Sequence, residues 1–183
     1  RGQYNACQHL KVQGFQAPGV AQDYFVVPED RIVVFPDSMT FEQGAMIEPA
    51  AVGAHSTNRT ASLKGKNVVV SGAGTVGNFV AQFARARGAA RVLITDLSEY
   101  RLNIARQCGL HGTLNIRDIP FAEGIRSFFG EDGFQVAFEA AGVFMDLLEG
   151  FLKQVFGVVF ILCHFHQISQ HSRTVPANKR FKS

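Results

Sequence analysis

A glycine-containing turn at residues 68–77, with the sequence VVVSGAGTVG, constrains the fold more than any other stretch of this chain. The consecutive valines predict a buried strand, and the amphipathic residues 78–87 predict a helix. In such a turn the first glycine, Gly72, permits a sharp change of direction. The second, Gly74, lets a pyrophosphate approach the backbone, and the third, Gly77, lets the helix pack closely against the strand.

A G-x-G-x-x-G match is weak by itself, so the flanking elements decide its meaning. The next predicted strand, residues 91–96, ends in Asp96, which follows Gly77 by 19 residues. An acid at about this spacing binds the ribose hydroxyls of a dinucleotide. Phosphates can accept hydrogen bonds from the N–H groups of Thr75, Val76 and the start of the following helix. The positive end of the helix dipole also lies there. The alternative is a strand–helix–strand unit with a tight turn and no ligand.

Strands and helices alternate from residue 68 to residue 162. The alternation predicts an α/β fold of the Rossmann type, which is a doubly wound parallel sheet with helices on both faces, here incomplete at five strands. The carboxyl ends of parallel strands share one edge, which brings Gly72, Asp96 and Ala140 together. The later predicted strands are 113–115, 134–139 and 158–162, and the later predicted helices are 98–109, 119–129 and 145–154.

The first 58 residues show a different pattern. Two short runs of β-branched and aromatic residues, 24–28 and 31–36, predict strands joined by a turn. A capping box at residues 40–43 predicts the start of a helix. Pro49 interrupts the helical pattern that follows, and it predicts the start of a second helix because proline suits a first turn.

Composition excludes several classes of function. The net charge of +3 is small and the basic residues are dispersed, which argues against nucleic acid as a partner. No apolar run approaches the about 20 residues of a membrane span. The cysteines, Cys7, Cys108 and Cys163, are odd in number and far apart, so they predict a reducing, cytoplasmic compartment rather than a disulfide framework. A chain that begins at Arg1, without methionine, is expected to be a piece of a longer protein.

Four sequence blocks, in this order and spacing, resemble the zinc-dependent medium-chain alcohol dehydrogenases, and within them the polyol branch of sorbitol and L-iditol dehydrogenases. The resemblance extends from residue 1 to about residue 142. The blocks are RGQYNAC at 1–7, EPAAVGAH at 48–55, SGAGTVG at 71–77 and TDLSEYRL at 95–102.

The resemblance implies a domain organisation. Residues 1–58 would be part of a β-rich, GroES-like catalytic domain that includes the end of its structural-zinc lobe. Residues 59–163 would be an NAD-binding Rossmann domain. Residues 164–183 do not resemble the family and are predicted to be an irregular tail.

The resemblance also implies an activity, which is the NAD- and zinc-dependent oxidation of a secondary alcohol or polyol to a ketone by a homo-oligomer. Asp96 favours NAD over NADP, since a carboxylate repels a 2′-phosphate. Arg101 corresponds to an arginine that lies along the adenosine ribose. Glu48 corresponds to the glutamate beside the catalytic zinc, although the residues alone favour a helix-terminal carboxylate before Pro49. Cys7 corresponds to the last of four cysteines that hold the structural zinc.

The remaining zinc ligands of the family would precede Arg1, so the isolated chain is predicted to be inactive. Cys7 is alternatively a lone thiol, because one thiolate does not make a four-coordinate zinc site. Two other functions stay open. One is an NAD-binding or oligomerisation module without catalysis. The other is a zinc-free relative such as a quinone reductase, which Cys7 and Glu48 disfavour.

Overall fold

A five-stranded parallel sheet is the centre of the computed structural model, which describes residues 8–142 and the backbone of residues 159–162. The strands are β1 (Asn67–Ser71), β2 (Arg91–Asp96), β3 (Gly112–Asn115), β4 (Val136–Glu139) and β5 (Val159–Leu162). Their order is β3-β2-β1-β4-β5, and every neighbouring pair is parallel. The direction of winding reverses between β1 and β4, and ligands of such sheets bind at that switch point. The predicted Rossmann-type sheet is confirmed.

Helices cover both faces of this sheet. The helices α3 (Thr75–Ala86), α4 (Glu99–Gln107) and α5 (Phe121–Phe129) lie on the sheet; earlier in the chain are α1 (Phe41–Ala45) and α2 (Ile47–Asn58), and α2 packs on α3. Side chains of α3 and α4 join one buried apolar cluster, and those of α5 join a second cluster on the opposite face. Val68 and Val70 of β1 point into the first cluster and Val69 into the second, which explains the continuous valine run. No helix among the described residues is long and apolar enough to cross a bilayer.

Element boundaries differ from the predicted ones at glycine and proline. The helix after the glycine turn begins at Thr75, three residues before its predicted start, because Gly77 is accepted inside the first turn. The helix α5 begins at Phe121 rather than at residue 119, since the residue before Pro120 avoids the helical conformation. The strand predicted over 91–96 has those bounds in the structure. The predicted helix 145–154 and the tail 164–183 lie outside the described residues.

The helices that precede the sheet confirm one prediction and correct another. The capping box is present: Gln43 N–H donates to Thr40 Oγ1 at 3.2 Å, and Thr40 N–H donates to Gln43 Oε1 at 3.0 Å. The predicted helix start at Pro49 is wrong, because α2 begins two residues earlier at Ile47. Pro49 fits inside the first turn of α2, where its missing N–H has no intrahelical acceptor to lose.

The chain divides into two compact units, Arg1–Gly44 and Ala45–Ser183. In the described part of the first unit, the strands predicted over 24–28 and 31–36 are wrong. A 3₁₀ turn at Glu29–Arg31 separates the two runs, and neither run pairs with another segment. The assignment of residues 1–58 to a GroES-like domain stays a prediction.

The two runs are unpaired, although extended backbone occurs within the second run. Ile32 has φ −102° and ψ 135°, which is strand-like backbone. Tyr24 and Val26 are 89% and 95% exposed, so their apolar side chains are not covered within the structure. Local propensity therefore agrees with the backbone at Ile32, but a strand also requires a neighbouring strand for its N–H and C=O groups.

Candidate dinucleotide-binding site

Two glycines near the junction of β1 and α3 stand where a side chain would not fit: Gly72 in the turn and Gly77 in the first turn of α3. Gly72 has φ +92°, and a Cβ on it would lie 2.8 Å from the backbone of Ala140 and Ala141. A Cβ on Gly77 would overlap the carbonyl oxygen of Gly72. The sharp turn at Gly72 and the close helix packing at Gly77 agree with the predicted uses of these glycines.

Gly74, unlike Gly72 and Gly77, is not required to be glycine by its protein neighbours. It is the N-cap of α3 with an ordinary φ of −67°, and a Cβ on it would meet nothing within 4 Å. No side chain caps α3, and the N–H groups of Thr75, Val76 and Gly77 have no acceptor within the helix. Open space, free donors and the positive end of the helix dipole together fit a pyrophosphate.

Asp96 lies at the end of β2, directly beside the glycine turn. Ala73 N–H donates to Asp96 Oδ2 at 2.7 Å, and Ser98 N–H donates to Asp96 Oδ1 at 2.8 Å. The side chain is 9% exposed. These two bonds hold the carboxylate in one orientation while each oxygen keeps a lone pair for a further donor. The structure thus brings the glycine turn and the predicted ribose-binding acid into direct contact.

Arg101 and Glu99 lie on the first turn of α4, close to Asp96. Arg101 Nη1 is 3.8 Å from Asp96 Oδ2, and its side chain is 58% exposed, so this ion pair contributes little to stability. Glu99 Oε1 instead accepts a 2.6 Å hydrogen bond from Arg106 Nη1. That hydrogen bond is the main reason why the pKa of Glu99 lies below its usual value. Asp96 and Glu99 therefore have different partners, which are backbone N–H groups for Asp96 and Arg106 for Glu99.

The loop after β4 forms the other side of the crevice. Ala140 N–H donates to Ser71 O at 2.8 Å, which holds the loop against β1. Glu139, at the end of β4, is 4% exposed and accepts hydrogen bonds from the loop backbone. Ala140 was predicted from the sequence as a site residue, whereas Glu139 and Ala73 were not. A carboxylate that ends the otherwise apolar strand VAFE, at the edge where ligands bind, was the signal for Glu139.

Replacing Asn78 with leucine is expected to raise the free energy of unfolding by about 1 kcal/mol. Asn78 is 6% exposed; its Oδ1 accepts from Gln82 Nε2 at 2.7 Å, but its Nδ2 has no partner among the described residues. A buried amide with an unpaired donor is destabilising, and leucine removes it at similar length. Chemical denaturation measures the change. The control, Gln82→Leu, removes the same bond but keeps the buried amide, so it should destabilise. A less stable Asn78→Leu variant would contradict this reading.

Of the two predicted metal ligands, only Glu48 lies within the described residues. Glu48 is exposed in the first turn of α2, and Cys7 lies outside the described residues. Across residues 8–142, no group of three or more His, Cys, Asp or Glu side chains is placed to hold a metal ion. The described residues alone therefore do not fit a four-coordinate zinc site, and the roles of Glu48 and Cys7 stay predictions.

Comparison with known proteins identifies the family of this chain. The zinc-binding dehydrogenase family profile matches residues 75–154, beginning at the first residue of α3. Sorbitol dehydrogenase of Bacillus subtilis (strain 168) is 35% identical over 144 residues, which are 77% of this chain and 40% of that enzyme. The chain belongs to the zinc-dependent medium-chain dehydrogenase family. The predicted resemblance is thereby confirmed.

Other members of the dehydrogenase family are similar over the same region. L-threonine 3-dehydrogenase of Protochlamydia amoebophila (strain UWE25) is 31% identical over 141 residues, covering 77% of this chain and 41% of the relative. A solved structure described as a short chain alcohol dehydrogenase from E. coli CFT073, complexed with NADH, matches with a TM-score of 0.66 and 27% identity over 75% of this chain and 40% of that one. The chain spans about two fifths of the length of the curated relatives that it matches. NAD and zinc, the predicted cofactors, are those of the family.

Proposed function

We propose that this protein binds NAD across the carboxyl ends of β2, β1 and β4, and that it serves a dehydrogenase that oxidises a secondary alcohol, most specifically a polyol. The observation that carries the proposal is the 2.7 Å hydrogen bond from Ala73 N–H to Asp96 Oδ2. It joins the turn that suits a pyrophosphate to the acid that suits an adenosine ribose. A bare strand–helix–strand unit has no need of both features at one edge.

Each part of the crevice has a separate task in holding the dinucleotide. The N–H groups of Thr75 and Val76 donate to the pyrophosphate, and Gly74 leaves room for it. The free lone pairs of Asp96 accept from the ribose hydroxyls and disfavour the 2′-phosphate of NADP. Arg101, which is mostly exposed, lies along the same ribose. When bound, NAD accepts the hydride that leaves the carbinol carbon of the substrate.

The substrate is proposed from the relatives. The sorbitol dehydrogenase has the higher identity of the two curated relatives, which supports a polyol, while the other is named for L-threonine. A homo-oligomer in the cytoplasm, with Glu48 near a catalytic zinc, completes the proposal. Because the described residues do not fit a zinc site, no step of the reaction is assigned to the metal.

A binding module without catalysis is the second candidate function. It is favoured by one observation: the described residues place the glycine turn beside Asp96 but include no group of three metal-ligating side chains. Such a module would bind NAD, or take part in oligomerisation, without oxidising an alcohol.

Titration calorimetry of the 183-residue chain with NAD, beside elemental analysis for zinc, tests the proposal. We expect NAD to bind, zinc to be absent, and no NADH to form from sorbitol, L-iditol or L-threonine. Turnover on a polyol by the isolated chain would contradict the predicted inactivity. Failure to bind either NAD or ADP-ribose would overturn the proposed dinucleotide site.

A further inference from the structure

Glu139 is a buried carboxylate that the proposed binding of NAD does not use. Only 4% of the residue is exposed. Burying a carboxylate costs free energy unless hydrogen-bond donors surround it, so the donors around Glu139 indicate its role. Its Oε1 accepts from Ala141 N–H at 2.8 Å and from Gly142 N–H at 3.0 Å. Both bonds are charge-assisted, and both go to the backbone of the loop that follows β4.

This loop lies directly against the glycine turn. A Cβ on Gly72 would be 2.8 Å from the carbonyl carbon of Ala140 and from Ala141 N, and one on Gly77 would be 3.3 Å from Ala140 Cβ. Ser71, which pairs with Glu139 across β1 and β4, accepts the N–H of Ala140. The loop and the turn are too close for an atom to fit between them. A shift of the loop would therefore displace the turn that faces the pyrophosphate.

We infer that Glu139 is a positioning residue for the dinucleotide site. It holds the backbone at Ala141 and Gly142, and this loop in turn keeps Gly72 and the start of α3 in the geometry that receives the pyrophosphate. The inference rests on the proposed NAD site. It assigns Glu139 a role through the loop rather than contact with NAD.

Two variants of Glu139 separate the hydrogen bonds from the charge. Glu139→Gln keeps an oxygen acceptor at the same length, so the loop should stay in place and the Kd for NAD should remain within about threefold of the wild type. Glu139→Ala leaves two N–H groups without an acceptor, and the Kd should rise at least about tenfold. If the alanine variant does not fold, Glu139→Asp, with a shorter reach, takes its place with the same expectation.

Gln135→Ala is the matched control. Gln135 Oε1 also accepts a backbone N–H, that of Asn67 at 2.8 Å, but it does so at the opposite end of β4. Its loss should lower the melting temperature while leaving the Kd for NAD unchanged at temperatures where both variants are folded. A purely structural role for Glu139 would give the same result in Glu139→Ala.

Amide hydrogen exchange without ligand makes the test independent of NAD. The N–H groups of Gly72 and Ala73 are bonded to Thr95 O and Asp96 Oδ2, and they should exchange at least about tenfold faster in Glu139→Ala but not in Gln135→Ala. If the wild type binds no NAD, the proposed function fails, and the exchange rates alone decide the role of Glu139. Unchanged exchange and Kd in Glu139→Ala, or a glutamine variant as impaired as the alanine variant, would overturn the inference.

Discussion

Alanine at Gly77 is expected to destabilise the fold strongly, whereas alanine at Gly74 is expected to leave the fold intact and weaken NAD binding. A Cβ at Gly77 would overlap the carbonyl oxygen of Gly72, and a backbone atom has no rotamer by which to move aside. The free energy of unfolding should fall by at least about 3 kcal/mol, at the upper end for overpacking.

Gly74→Ala meets no such obstacle in the protein. Its φ of −67° suits alanine, and the new Cβ would have no neighbour within 4 Å. The loss of stability should stay below about 1 kcal/mol, as for an N-cap substitution. The methyl group would however stand in front of the N–H groups that open α3, so the Kd for NAD should rise at least about tenfold, or 1.4 kcal/mol.

Urea denaturation and NAD calorimetry on the two variants measure both effects. Each variant is the control for the other, because the same methyl group is added three residues apart. A stable Gly77→Ala variant would show that the packing between the turn and α3 is looser than described. A Gly74→Ala variant that binds NAD normally would place the pyrophosphate elsewhere.

Replacing Asp96 with asparagine is expected to reduce the preference for NAD over NADP at least about tenfold. The substitution keeps one acceptor for Ala73 N–H or Ser98 N–H but removes the charge that repels a 2′-phosphate. Arg101 remains 3.8 Å or so from the position of that charge and would face the phosphate. NAD affinity itself should also fall, because a carboxylate accepts from hydroxyls more strongly than an amide does.

Glu99→Gln is the matched control for charge. Glu99 is the first residue of α4, three residues after Asp96. Because its pKa is lowered, Glu99 is ionised at neutral pH, so Glu99→Gln also removes one negative charge. Its carboxylate is paired with Arg106 rather than with the glycine turn. The ratio of the Kd values for NADP and NAD, measured by calorimetry, should be unchanged in Glu99→Gln. An unchanged ratio in Asp96→Asn would mean that Asp96 does not meet the ribose.

Much of the sheet could be predicted from the sequence for local physical reasons. The valine run of β1 and the apolar run of β2 are buried on both faces, so their composition marks them without knowledge of their neighbours. The turn could be predicted because Gly72 and Gly77 occupy places where other residues fail sterically. The capping box at residues 40–43 could be predicted because its two hydrogen bonds join residues three apart.

Contacts between distant segments could not be predicted in this way. Nothing in the sequence near Asp96 indicates that Ala73 N–H would hold its carboxylate, since the two residues meet only after β1 and β2 pair. Glu139 was overlooked for the same reason: its importance comes from the packing of its loop on Gly72.

The amino-acid sequence by itself determined the kind of elements, their order and the glycine turn, because periodicity and steric permission act within a few residues. Only the tertiary structure decided which extended runs became strands. The valines of β1 gained parallel neighbours on both sides, whereas residues 24–28 and 31–36 stayed unpaired. Backbone conformation is a local preference, but a ladder of hydrogen bonds needs a second segment at the right distance.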